Sequence, residues 1–196
     1  MTRTARRKAY YFLGVGLGAL VLAWAIIELH FNVAQIVVLV VVLLLPGRVL
    51  GFFWRDQLSG LRLLRERKFE ASAQHSRRFL ETLAQRPWMR HMIWLGSGTY
   101  SRDPWSLALN NLGAAEISLG DMDNAKQHLE QSREADPENP LPYLNLGRLY
   151  LIAGEPARAN EFLLKARSLG YSWKLSDKLI RAAQARFAYT DGPSVS

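Results

Sequence analysis

The chain has 196 residues, a formal net charge of +8 from 25 Lys and Arg against 17 Asp and Glu, and 49% apolar residues. That length allows one globular domain, or a smaller one with an extra element, and the composition excludes a disordered or collagen-like chain. With no cysteine, a disulfide framework, thiolate catalysis, thiolate-bound zinc and iron–sulfur clusters are excluded as well.

The charge is unevenly placed. Arg3, Arg6, Arg7 and Lys8 open the chain, and residues 9–47 contain Glu28 as their one charge. Residues 48–90 carry ten basic residues against four acidic, whereas the rest of the chain carries 11 against 12. A nucleic-acid binder concentrates its basic face on the folded domain. Here the excess flanks an apolar block, which predicts a membrane neighbour and no nucleic acid.

In chain order, residues 1–8 read as a basic cytoplasmic N-terminus. Residues 9–54 predict a transmembrane helical hairpin with spans at about 9–28 and 33–53. Ala9 to Ile27 and Leu29 to Gly47 are charge-free runs of 19 residues each, long enough at about 1.5 Å per residue to approach the hydrocarbon thickness. A cleaved signal peptide ending near Ala23-Trp24-Ala25 is the rival reading, and the second apolar run argues against it. Basic residues flank both runs and avoid the turn between them, so both termini are expected in the cytoplasm, with a bacterial inner membrane as the location. Gly14 and Gly18 have the spacing of a close helix contact, within the hairpin or between two copies. Arg48, Arg55, Arg62 and Arg65 are candidates for contact with anionic lipid.

Residues 55–105 predict a degenerate juxtamembrane helical pair, broken near Arg65-Glu66-Arg67-Lys68, and then a Trp-rich connector. In that connector Trp88, Met89, Met92, Ile93, Trp94 and Leu95 read as a short helix buried on the first pair, or else as a membrane-interface or partner contact. Gly96-Ser97-Gly98 reads as a loop.

Residues 106–139 and 140–171 repeat one another. Leu109-Asn110-Asn111-Leu112-Gly113 lies 34 residues before Tyr143-Leu144-Asn145-Leu146-Gly147, and the same offset maps Gly120 on Gly154, Ala125 on Ala159 and Leu129 on Leu163. Such a period signals stacked helix pairs. Gly113 and Gly147 predict close contacts between antiparallel helices, and Gly120 and Gly154 predict left-handed helix ends. Asp103-Pro104, Asn139-Pro140 and Glu155-Pro156 predict helix starts, and Asp121 an N-cap. These residues, with Asp136-Pro137 closing the first unit, resemble the tetratricopeptide repeat (TPR) family. Two positions depart from its pattern: Leu169-Gly170 replaces the second closing proline, and Glu116 replaces an aromatic residue. The expected fold class is all-α, a transmembrane hairpin followed by a short α-solenoid of helix pairs. Residues 172–189 read as an amphipathic capping helix and residues 190–196 as a disordered tail.

The resemblance implies a scaffold whose concave groove is lined by the second, fifth, ninth and twelfth positions of the first helix in each pair. These are Leu107, Asn110, Ala114 and Ile117, then Leu141, Leu144, Arg148 and Leu151. A carboxylate-binding subset of the family uses Lys, Asn and Arg there; Asn110 and Arg148 fit, but the paired lysines are missing. A mostly apolar groove suits an amphipathic helix or apolar peptide, or the chain's own juxtamembrane helix.

No residue constellation predicts catalysis, a cofactor or a metal. Asp121-Met122-Asp123-Asn124 lacks the glycine and terminal Glu of a calcium loop, and His30, His75, His91 and His128 read as ordinary structural or surface residues. The expected function is a membrane-anchored adaptor that binds another protein and assists assembly or recruitment of a membrane complex, with membrane lipid as a second contact. The alternative is a structural accessory subunit whose hairpin makes the main contact, in a homo-oligomer or a larger complex.

Overall fold

Short polar side chains and prolines set where the helices of the second half begin. Asp103 accepts a hydrogen bond from the Trp105 amide at 2.9 Å, and Asn139 accepts one from Leu141 at 3.1 Å, each just before a proline in the first helical turn. Asp121 accepts from the Asn124 amide at 3.4 Å. The computed structural model describes residues 3–28, 30–95, 101–171 and 181. Among these the order is α1 (Arg3–Glu28), α2 (Val33–Phe53), α3 (Arg55–Arg65), α4 (Phe69–Gln85), a 3₁₀ helix (Pro87–Leu95), α5 (Pro104–Leu119), α6 (Met122–Ala135), α7 (Pro140–Ile152) and α8 (Pro156–Ser168). The described residues form an all-helical solenoid in which α3 packs on α4, α5 on α6 and α7 on α8, while α4 packs on α5 and α6 on α7. The expected capping helix at 172–189, the tail at 190–196 and the Gly96-Ser97-Gly98 loop lie outside the described residues.

Each pair closes on a glycine. A Cβ built on Gly113 would stand 2.7 Å from Leu129 Cγ, and one on Gly147 would stand 2.7 Å from Leu163 Cγ, with both leucines fully buried. Gly60 makes the same approach in the first pair, its Cβ position lying 3.3 Å from Ser76 Oγ. The glycine and the residue it meets are 16 apart in all three pairs. Between the later pairs, a polar network fixes the junction. Ser106 Oγ donates to the Ser132 carbonyl (2.9 Å), Ser132 Oγ to the Ser106 carbonyl (2.7 Å), and Asn139 Nδ2 to Ser106 Oγ (3.0 Å). The buried Asp136 carboxylate accepts from Ser101 Oγ at 2.6 Å and from the Arg102 amide at 2.7 Å. Burial also pushes the Tyr143 hydroxyl above the ordinary tyrosine range, and that hydroxyl donates to the Pro137 carbonyl, 3.2 Å away.

The first 53 residues require a correction. Among the described residues no helix is long and apolar enough to cross a membrane, which overturns the expected transmembrane hairpin and inner-membrane location with cytoplasmic termini. The charge-free runs are not themselves the helices: α1 begins in the basic segment at Arg3, and α2 takes Arg48 into its length. Within the chain, Gly14 and Gly18 make no close helix contact, since an added Cβ would meet nothing within 4 Å. The turn between α1 and α2 is closed by a reciprocal pair, the Gln35 amide donating to Asn32 Oδ1 and the Asn32 amide to Gln35 Oε1, both at 2.9 Å.

Gly147→Ala should lower the midpoint of a thermal melt, by overpacking worth about 1–3 kcal/mol. Combined with Leu163→Ala it should cost less than the sum of the two single changes, because both act on one contact. Gly154→Ala, at φ +78° with open space around it, should cost about 1 kcal/mol through backbone strain and be additive with Leu163→Ala.

Candidate functional site

The 16-residue spacing aligns the first helices of the three pairs. Counting back from Gly60, Gly113 and Gly147, Trp54 takes the place of Leu107 and Leu141, and Gln57 that of Asn110 and Leu144. Leu61 matches Ala114 and Arg148, and Leu64 matches Ile117 and Leu151. The groove expected from two helices therefore extends over α3. Trp54, Gln57, Leu61 and Leu64 are the groove positions missed in the sequence, and Gly60 followed by Ser72 and Ser76 at the spacings of Gly113, Ala125 and Leu129 was the available signal.

The structure brings several of these residues into rows. Asn145 Nδ2 donates to Asn110 Oδ1 at 2.9 Å, and Arg148 Nη1 donates to Asn145 Oδ1 at 3.1 Å. This makes one polar row across α5 and α7, joined at Asn110 by Asn111. Trp54 and Leu107 share a buried cluster with Phe79, Leu83, Met89 and Ala108, and Leu141 packs against it. Ile117 sits in a second cluster with Ala125, Leu129, Leu146 and Leu149. Leu144 and Leu151 belong to a third with Tyr143, Tyr150 and Leu163. Ala114 is 5% exposed, Leu144 5% and Leu151 8%, so the apolar positions are core, whereas Arg148 and Leu141 are half-buried. The remaining sequence candidates Arg48, Arg55, Arg62 and Arg65 are exposed on α2 and α3. Beyond them, Lys68 Nζ donates to Glu66 Oε2 at 2.9 Å and holds that carboxyl below its usual range.

Two histidines read as surface residues have partners. His75 Nδ1 lies 2.8 Å from Asp56 Oδ1, tying α3 to α4. His128 Nδ1 lies 2.7 Å from Oε2 of Glu116, which is 1% exposed and also accepts from Arg77 Nη2 at 3.1 Å. Glu116, the departure from the family pattern, thus joins α4, α5 and α6. The equivalent positions one unit later are Tyr150 and Phe162, stacked at 5.3 Å. Hydrogen-bond donors and acceptors in a row, bordered by apolar core, can recognise a polypeptide; among the described residues no group of three or more His, Asp or Glu could hold a metal ion.

Comparison with known proteins agrees with this geometry. Residues 116–171 match the tetratricopeptide repeat family. A solved structure, the TPR2B domain of yeast Sti1 in a complex with pHsp70, is similar at 18% identity and a TM-score of 0.53, over 68% of this chain and 97% of that one. No curated protein matches the chain. The solenoid of helix pairs is therefore a tetratricopeptide-type fold.

Glu116→Ala should cost about 1–3 kcal/mol in a denaturant melt, since the half-buried His128 loses its hydrogen-bond partner while Arg77, 56% exposed, turns to solvent. Glu116→Tyr together with His128→Phe, which installs the aromatic pair of the next unit, should recover part of that loss.

Proposed function

We propose that this chain is a protein-binding scaffold that holds a segment of another protein against the shared face of α3, α5 and α7. The observation that carries the reading is the row Asn110, Asn145 and Arg148, in which two buried amides, 4% and 6% exposed, hold the half-buried Arg148 guanidinium on the shared face. A polar strip suits a peptide segment whose backbone amides or carboxylates it can bond, more than the wholly apolar ligand expected from the groove positions alone. The fold likeness to a domain solved with a bound partner supports the same reading.

Arg148→Glu tests it. Its guanidinium is half-buried and bonds one neighbouring side chain, so the melting midpoint should stay within a few degrees. Partners recovered with the full chain and identified by mass spectrometry should be lost. Retention of every partner by folded Arg148→Glu would refute the reading. Leu144→Lys is not diagnostic, because it would bury an ammonium in the core and unfold α7 and α8.

A second reading, the structural accessory subunit, is favoured by one observation: Leu20, Ile27 and Val33 on α1 and α2 are more than two-thirds exposed, and apolar surface on that scale marks a contact. A photocrosslinker at Ile27 would capture the protein that covers it.

A further inference from the structure

The segment between the first and second pairs is much longer than the one between the second and third, and it does something the others do not. Residues 136–139 join α6 to α7, whereas residues 86–103 join α4 to α5. That longer connector carries the 3₁₀ helix Pro87–Leu95, which packs on α2, α4 and α5. Met89, fully buried, inserts into the cluster holding Trp54 and Leu107, with Leu141 against its edge. Those three stand at equivalent positions, six residues before Gly60, Gly113 and Gly147, so the connector's Met89 joins the cluster that gathers the first row of the proposed binding face.

Among the described side chains the segment is fastened further by Trp88 and by Arg90, whose guanidinium also lies 6.0 Å from the centre of the Trp105 ring. Trp88, 51% exposed, meets the Phe53 ring edge-on at 5.2 Å, and the Arg90 guanidinium bonds the Asp103 carboxylate. Asp103 caps α5 independently of Arg90, and Arg90 itself is exposed. Pro87 supplies no amide hydrogen, and among the described residues the segment's one backbone bond to what precedes it is from the Met89 amide to the Arg86 carbonyl, at 3.0 Å.

We propose that Pro87–Leu95 is an autoinhibitory plug: Met89 occupies the end of the binding face formed by Trp54, Leu107 and Leu141, the Arg90–Asp103 pair latches it, and its withdrawal opens that end to a partner segment with an apolar side chain to place there. The proposal rests on the reading of α3, α5 and α7 as the binding face, and its test needs no partner, so the two fail separately.

Because the chain has no cysteine, Leu107→Cys places a single thiol under the plug, and its labelling rate by a small maleimide reports opening. Arg90→Ala should speed labelling by about threefold, as expected of one partly exposed ion pair. Met89→Ala should speed it by about tenfold or more through loss of buried contacts. A Leu144→Cys reporter in the same backgrounds should label at an unchanged rate. If neither change speeds labelling at position 107, the plug does not cover that end. If positions 107 and 144 accelerate together, the changes loosen the whole solenoid and the plug is merely part of the core. Either result overturns the proposal.

Discussion

The close approach of two helices at a glycine is the constraint on which this solenoid depends. At Gly113 and Gly147 not even a methyl group has room beside the facing leucine, so each pair is locked at one depth and one register. With depth and register fixed three times over, the first helices line up, and residues scattered through 98 positions of sequence, from Trp54 to Leu151, become neighbours in rows. The shared face of α3, α5 and α7 is a consequence of the glycines before it is a consequence of the residues that line it. This is how a repeat array converts nearest-neighbour contacts into an extended surface.

The second half of the chain was legible because its local signals agree. Caps, prolines, left-handed glycines and a 34-residue offset all place α5 to α8 in the same way. The first pair hid its register because its contact residues are polar. Ser72 and Ser76 stand where Ala125 and Leu129 stand one unit later, and Gln57 where Asn110 stands. A search guided by apolar periodicity passes over Gly60 for that reason, although the 16-residue spacing was there to be read. Polarity has a cost in this pair: among the described residues, Gln57 Oε1, Ser76 Oγ and Trp54 Nε1 are buried without a partner, and such groups lower stability.

The groove positions show a different limit. Family pattern placed Leu144 and Leu151 on the binding face, and packing turned them into core beside Tyr143 and Tyr150. Whether a leucine at such a position is covered or free depends on the neighbouring elements, which no local pattern encodes. The apolar runs of α1 and α2 taught the same lesson from the other side, since an absence of charge in sequence did not specify what surrounds those helices. Asn110 is buried as deeply as Leu144, and it is linked to Arg148 through Asn145, which the family pattern did not nominate. Met89 could be nominated from sequence only as one of six apolar residues in the connector; of the two whose side chains are described, it is buried and Trp88 is exposed.

One exchange between units has a wider meaning. Where the third pair stacks Tyr150 on Phe162, the second holds Glu116 against His128, with Arg77 reaching over from the first. The carboxylate therefore has its arginine only while a particular neighbour precedes it. Arrays of like units are commonly treated as beads that may be shuffled, duplicated or shortened. This one cannot be: a copy of the Glu116 unit moved to the end of the array, or left as its first member, would carry a buried charge with no arginine in reach. The order of the units is written into their chemistry, and the array has a direction as well as a length.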